Sequence, residues 1–202
     1  VVKLPAVTGA GLVSLLFRDA LGTYKTHVSG TSARISNVKK SAAAINGYVL
    51  NSGDVFSYND VVGERTAARG YQAAPAYVNG ETVNEIGGGI CQTSSTLYMA
   101  ALLSDLEIVT RYAHRYVPAY IPKGMDATVS WGGPEFRFAN NTDYPIKIVA
   151  TYSKNYLTVT LYGTNLTGKY VKMTNEVLST TPYQVIYEDD PTLPKGTEKV
   201  KT

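Results

Sequence analysis

Three consecutive glycines, Gly87 to Gly89, stand two residues before the chain's only cysteine, Cys91, and a largely apolar run continues to Leu103. Glycine lets backbone approach other elements closely and take positive φ, so the triplet predicts a tight turn. Beyond it, Ile90, Leu97 and Ala101, with Met99, Leu102 and Leu103, line a broad apolar stripe at helical spacing. The stretch therefore reads as a buried helix with Cys91 at or just inside its N-terminus. Unpaired amides and the helix dipole at that end would favour a thiolate. Ser94, Ser95 and Thr96 weaken helix propensity and leave the boundary open. A lone cysteine is also a common small core residue, so residue type alone leaves both readings standing. A phosphate-binding loop is excluded, because its lysine and its spacing are missing.

The flanks set the fold class. Residues 34–46 read as a helix, with Ile35, Val38, Ala42 and Ile45 near helical spacing and Gly47 as terminator. Residues 23–28, 48–50, 55–59, 106–112, 127–131 and 136–138 read as extended, and 60–72 as a loop. Asn79-Gly80 between short extended segments predicts one hairpin. Residues 146–152 and 156–162 predict another around Ser153-Lys154-Asn155. The expectation is an α+β fold, mostly antiparallel sheet, with a central buried helix carrying Cys91. Residues 1–22 read as an N-terminal extension packed on the core, helical or extended. The main domain is expected over 23–165. Residues 166–202 form a linker and a tail with strands at 171–173 and 185–187.

Composition narrows the function. A chain of 202 residues with 44% hydrophobic residues can bury a full core. A net charge of +3 without Lys/Arg clusters argues against nucleic acid as a partner. One cysteine and two distant histidines, His27 and His114, make no metal motif, and neither metal nor organic cofactor is expected. Sixteen tyrosines suit half-buried sheet positions and also a groove for polar polymers.

A cysteine nucleophile needs a base. His114 ends the extended segment that follows the cysteine helix and is the better candidate; His27 reads as a surface or ladder-edge residue. Asp126 opens the next predicted strand and is the leading group to orient His114, although a turn cap is an equal reading of it. Backbone around Gly88, Gly89 and Gln92 could form an oxyanion hole. Arg65 or Arg69 could meet a substrate carboxylate, though such arginines more often bind internal carbonyls. Tyr71, Ser94, Arg115 and Tyr120 complete the candidate substrate-binding set. Together these residues permit acyl transfer through a thioester, with water or an amine as acceptor.

The residues also resemble a known family, the VanW-like domain. The likeness runs through Ile45-Asn46-Gly47, Asn51 to Asn59, Gly63-Glu64-Arg65-Thr66, Gly70-Tyr71 and Ala74-Pro75. Its most distinctive block is Gly87 to Tyr98. His114, Tyr120 to Val129, Phe136-Arg137-Phe138 and Asn140-Asn141-Thr142 complete it, over roughly residues 23–163. The resemblance implies a bacterial envelope protein, extracytoplasmic at the cell wall or surface, with a membrane tether outside these residues. Some members are cysteine L,D-transpeptidases that make 3-3 peptidoglycan cross-links, so peptidoglycan stem peptides are the implied partner. Cys91 then matches the nucleophile of the glycine-rich motif. His114 and Asp126 fall in the family's His and Asp-Ala-Thr blocks, and their roles are chemical inference. Arg115 departs from the serine that often follows the histidine. The tail from Thr181 to Glu198 resembles the opening of a G5 domain, cut short at Thr202. Stem-peptide carboxypeptidase activity and a non-catalytic wall-binding or resistance accessory role are the alternatives.

Overall fold

The computed structural model describes residues 9–78, 81–182 and 184–199. In chain order the elements are α1 (Gly9–Leu15), β1 (Asp19–His27), α2 (Ser32–Ile45), β2 (Val49–Leu50), β3 (Val55–Ser57), α3 (Tyr58–Val62), β4 (Ala73–Val78), β5 (Glu81–Ile86), α4 (Cys91–Leu103), β6 (Glu107–Thr110), β7 (Arg137–Ala139), β8 (Ile146–Ser153) and β9 (Tyr156–Gly163). The fold is α+β with antiparallel sheets and a buried central helix, α4, that begins at Cys91.

The main sheet has the order β1-β9-β8-β2. Alternation builds it: Ile146, Ile148 and Ala150 of β8 face inward, as do Leu157, Val159 and Leu161 of β9. The β8–β9 hairpin turns through Lys154 and Asn155, both at positive φ (48° and 62°). That pairing matches the right-handed twist of the strands, which fixes the register of Ile148 opposite Leu161. The Asn79-Gly80 turn lies outside the described residues, but β4 and β5 on either side pair as the hairpin reading requires.

Helices α2 and α4 pack on this sheet, α2 against β8 and α4 against β1 and β9. A Cβ at Gly22 of β1 would stand 2.6 Å from the Ala100 carbonyl oxygen, so only glycine lets α4 lie this close. Val38, Ala42 and Ile45 bury the inner face of α2 at the predicted spacing. Thr31 caps the helix by accepting from the Arg34 amide at 3.2 Å. A second sheet, β3-β7-β6, contributes Phe56 and Phe138, which stack at 5.0 Å. Tyr98 of α4 meets Phe136 edge-on at 5.6 Å.

Several expectations are corrected. Of residues 1–22, 9–15 are helix and 19–22 already belong to β1. The strand expected over 55–59 stops at Ser57, whose hydroxyl caps α3 by accepting from the Asp60 amide. Residues 127–131 join no sheet, because their amides go elsewhere. Ala127 N donates to Ser95 Oγ, Thr128 N to Tyr112 O and Ser130 N to Pro134 O. The strands expected at 171–173 and 185–187 do not form. The tail offers them no partner edge, and Val177, Leu178, Val185, Ile186 and Tyr187 remain exposed. Met173 of the tail packs on the small cluster of Met99, Ile121 and Met125. Among the described residues no helix is long and apolar enough to cross a membrane.

Candidate active site

The cysteine is held by a turn with no room to spare. Gly87 and Gly89 take φ of 86° and 99°. A Cβ on Gly88 would lie 2.2 Å from the Ala74 carbonyl oxygen. Buried Asn37 of α2 ties the turn down, donating from Nδ2 to Gly88 O at 3.0 Å and to Gln72 O at 2.8 Å. Its Oδ1 accepts from the Gln72 amide. Behind the turn, Ser41 and Thr93 share a hydroxyl–hydroxyl hydrogen bond of 2.7 Å. The polar residues that weaken helix propensity after Cys91 are thus fully buried and bonded, so tertiary contacts stabilise the start of α4.

Opposite the turn stands the irregular segment 126–130. Ser95 anchors it from α4, donating from Oγ to Ala127 O at 3.2 Å and accepting the Ala127 amide at 3.0 Å. Ser94 Oγ donates to Ala127 O at 2.7 Å. This brings the Val129 amide to 3.5 Å from Cys91 Sγ and the Thr128 hydroxyl to 3.7 Å. The thiol itself reaches Val129 O at 3.3 Å.

The third arm is His114, on the loop after β6. Its ring Nδ1 lies 2.5 Å from Asp126 Oδ2, and its backbone amide donates to the same oxygen at 2.6 Å. Asp126 is buried and also meets Arg111 Nη2 at 3.3 Å. Arg111 in turn donates to the carbonyls of Asp126 and Gly124 at 2.6 and 2.8 Å and lies over the Tyr98 ring. With Nδ1 committed to the carboxylate, Nε2 is the nitrogen left for the thiol, and the Cys91 and His114 side chains act on each other's ionisation.

The electrostatics follow from these contacts. Burial pushes the Cys91 thiol up, but the His114 imidazole, the Val129 amide and the Thr128 hydroxyl outweigh it, and the net direction is down. Burial likewise lowers His114, and Cys91 and Asp126 overcome it, leaving the imidazole raised. Burial raises Asp126, and the His114 amide and ring bring it below the usual carboxylate range. The arrangement favours a thiolate–imidazolium pair braced by a carboxylate.

Sequence-predicted residues divide accordingly. Cys91, His114 and Asp126 come together. Three first-turn amides of α4, those of Gln92, Thr93 and Ser94, are paired. Gln92 N donates to Gly89 O and Thr93 N to Ile90 O, and His114, Val129 and Thr128 lower the thiol. The Gln92 amide is thereby turned away from an oxyanion role. Arg65 is buried with its guanidinium over the Tyr58 ring at 5.6 Å, out of solvent. Arg69 is exposed and donates to the Glu64 carbonyl, holding its own loop. Tyr71 is buried, and Ser94 is spent on Ala127 and Cys91 carbonyls. Arg115 is exposed beside Tyr116. Tyr120, half-buried, approaches Ser95 Oγ at 3.5 Å, and burial with the nearby Cys91 charge pushes its phenol up. His27 is exposed on edge strand β1, its ring against Tyr156.

Three residues went unread in the sequence: Arg111, Val129 and Arg34. Arg111 precedes the histidine by three positions, a local signal that was available. Arg34 sits in the first turn of α2 and gives no local sign of reaching Gln92 and Gly89 beside the cysteine. Two shallow depressions, of about 370 and 380 Å³, lie elsewhere, lined by Lys40, Val62 and Tyr71 and by Tyr24, Met99 and Met173. Among the described residues no three His, Cys, Asp or Glu side chains converge as a metal site would need.

Comparison with known proteins gives concordant results. The family described as VanW like protein matches residues 33–162. An uncharacterized protein of Bacillus subtilis, YoaR, is 40% identical over 175 residues, covering 86% of this chain and 58% of that protein. The vancomycin B-type resistance protein VanW of Enterococcus faecalis is 30% identical over 123 residues, covering 58% of this chain and 45% of that protein. The chain thus spans about half the length of these relatives. No solved structure matches it.

Proposed function

The chain belongs to the VanW-like family, and from that premise we propose that it is a cysteine-dependent acyl transferase of the bacterial cell envelope, an L,D-transpeptidase acting on peptidoglycan stem peptides. The observation that carries the reading is the grouping of Cys91, His114 and Asp126 from three separate segments, with His114 Nδ1 bonded to Asp126 and the imidazole lowering the thiol. The Cys91 thiolate attacks the carbonyl between the L-centre of meso-diaminopimelate and the terminal D-Ala of a donor tetrapeptide. The amide C–N bond breaks, and protonated His114 gives its proton to the departing D-Ala amine. The thioester then passes to the side-chain amine of a second stem peptide. His114 takes the proton released by that amine, and the thiolate is restored. Asp126 holds the imidazole in the required tautomer throughout. The working location is extracytoplasmic, at the cell wall or the membrane surface, with any tether supplied outside these residues.

A second reading has its own support. One relative is named as a resistance protein, and a thiol that donates to a main-chain carbonyl, as Cys91 does to Val129, is what a structural cysteine also does. On this reading the domain is a non-catalytic accessory of glycopeptide resistance that binds peptidoglycan. Mass analysis of muropeptides, incubated with the protein or with Cys91→Ala, separates the two. A cross-linked dimer lacking D-Ala, absent with the variant, supports transpeptidation. Trimmed monomer without dimer means L,D-carboxypeptidase activity. Unchanged muropeptides, with both proteins folded and donor and acceptor present, support the accessory reading.

A further inference from the structure

Arg34 is built into the cysteine turn. Its aliphatic stem passes between two glycines of positive φ, Gly30 at 113° and Gly89 at 99°. A Cβ on Gly30 would meet Arg34 Cδ at 3.0 Å, and one on Gly89 would meet Cγ at 2.6 Å and Nε at 3.3 Å. Any side chain at Gly89 would therefore displace the arginine. The guanidinium is held at both ends, Nη1 donating to Ser29 O at 2.8 Å and Nη2 to Gln92 Oε1 at 2.8 Å. Gln92 is itself fully buried and fixed by Nε2 donating to Thr26 Oγ1 and His27 O. Two of the five N–H donors of the guanidinium are thus used for positioning. Burial lowers the guanidinium's pKa, and Gln92, which holds it, is the residue directly after Cys91, so the guanidinium is fixed at the cysteine end of α4.

We propose that Arg34 is the specificity residue of this site, a fixed cation that holds the free carboxylate of the residue leaving from the scissile amide. The assignment rests on the acyl-transfer reading and refines it: the favoured substrates are peptides whose scissile bond is followed by one C-terminal residue. A guanidinium immobilised by Ser29 and Gln92 loses little further freedom on binding a carboxylate, and its planar fork matches that group. Arg65 and Arg69, the arginines that sequence suggested for this task, are respectively sealed in the core and engaged with Glu64.

The test uses the thiol itself, since Cys91 is the chain's only cysteine. Alkylation rates with iodoacetate and with neutral iodoacetamide are measured at one pH on the protein, on Arg34→Gln and on Arg34→Lys. The ratio of the two rates cancels changes in thiolate fraction. The iodoacetate preference is expected to fall roughly fivefold in Arg34→Gln, the scale of one nearby charge in a partly buried site, and to survive largely in Arg34→Lys. An unchanged ratio in Arg34→Gln, with iodoacetamide still reacting, overturns the role of Arg34 and leaves the reactive thiol intact. A folded protein whose Cys91 is inert to both reagents overturns the acyl-transfer reading and the Arg34 assignment with it. Circular dichroism of each variant checks the fold, and Arg34→Lys carries the comparison should Arg34→Gln unfold.

Discussion

Replacing Asp126 by Asn tests the brace behind the histidine. The carboxylate accepts the His114 amide and ring on Oδ2 and Arg111 on Oδ1. Asparagine can supply only one acceptor oxygen. Turned toward His114, it points its NH2 at Arg111; turned toward Arg111, it faces two donors with two more. Either way a charge pair is lost and one donor is stranded. Breaking a buried ion pair costs about 3–5 kcal/mol. The side chains of His114 and Arg111 are 20% and 23% exposed, so water offsets part of this, and about 2–3 kcal/mol is expected. For a chain of this size that lowers Tm by roughly 5–10 °C. The stability belongs to a depressed carboxylate: it is present above the unfolded carboxylate range and lost as pH falls through the lower folded value. The difference in Tm between the protein and Asp126→Asn should therefore shrink in acid. The variant should also lose part of the raising of His114 and, through it, part of the lowering of Cys91, so its alkylation profile should move to higher pH. Thermal melts across pH and iodoacetamide rates across pH measure both. Wild-type melting together with an unshifted alkylation profile would refute the reasoning.

Two further outcomes are expected. The Cys91–His114 ion pair should populate a pH window whose lower edge is the lowered thiol value and whose upper edge is the raised imidazole value. The thiolate contribution is lost as pH falls through the first, and the imidazolium contribution as pH rises through the second. Thiolate absorbance and the NMR shift of the His114 ring should report these as two steps of a coupled pair. Gly88→Ala should cost about 2–4 kcal/mol by driving the turn off the Ala74 carbonyl. Gly124→Ala, at a φ of 77° with open space around it, should cost only about 1 kcal/mol. Urea denaturation of both variants measures the difference.

Much of the fold was legible because its signals are local. The β8–β9 alternation, the spacing of Val38, Ala42 and Ile45, and the run after the glycine triplet each report burial of one face, and each element formed. The failures share a cause. Residues 127–131 have strand-like composition, yet Ser95, Tyr112 and Cys91 compete for their amides and win. The tail segments at 171–173 and 185–187 have strand-like residues and no edge to pair with.

The sequence by itself determined that a helix would follow the glycines, that antiparallel strands would fill the second half, and that Cys91, His114 and Asp126 were the residues to watch. These follow from periodicity, turn chemistry and the scarcity of alternatives, since one cysteine and two histidines leave few pairings. Only the tertiary structure decided that the three meet, that Val129 supplies the amide at the sulfur, that Arg65 is buried, and that Arg34 lies between Gly30 and Gly89. Those outcomes depend on how α2, α4 and the 126–130 segment close on one another. Such long-range packing leaves no period in the chain and is read only from the folded geometry.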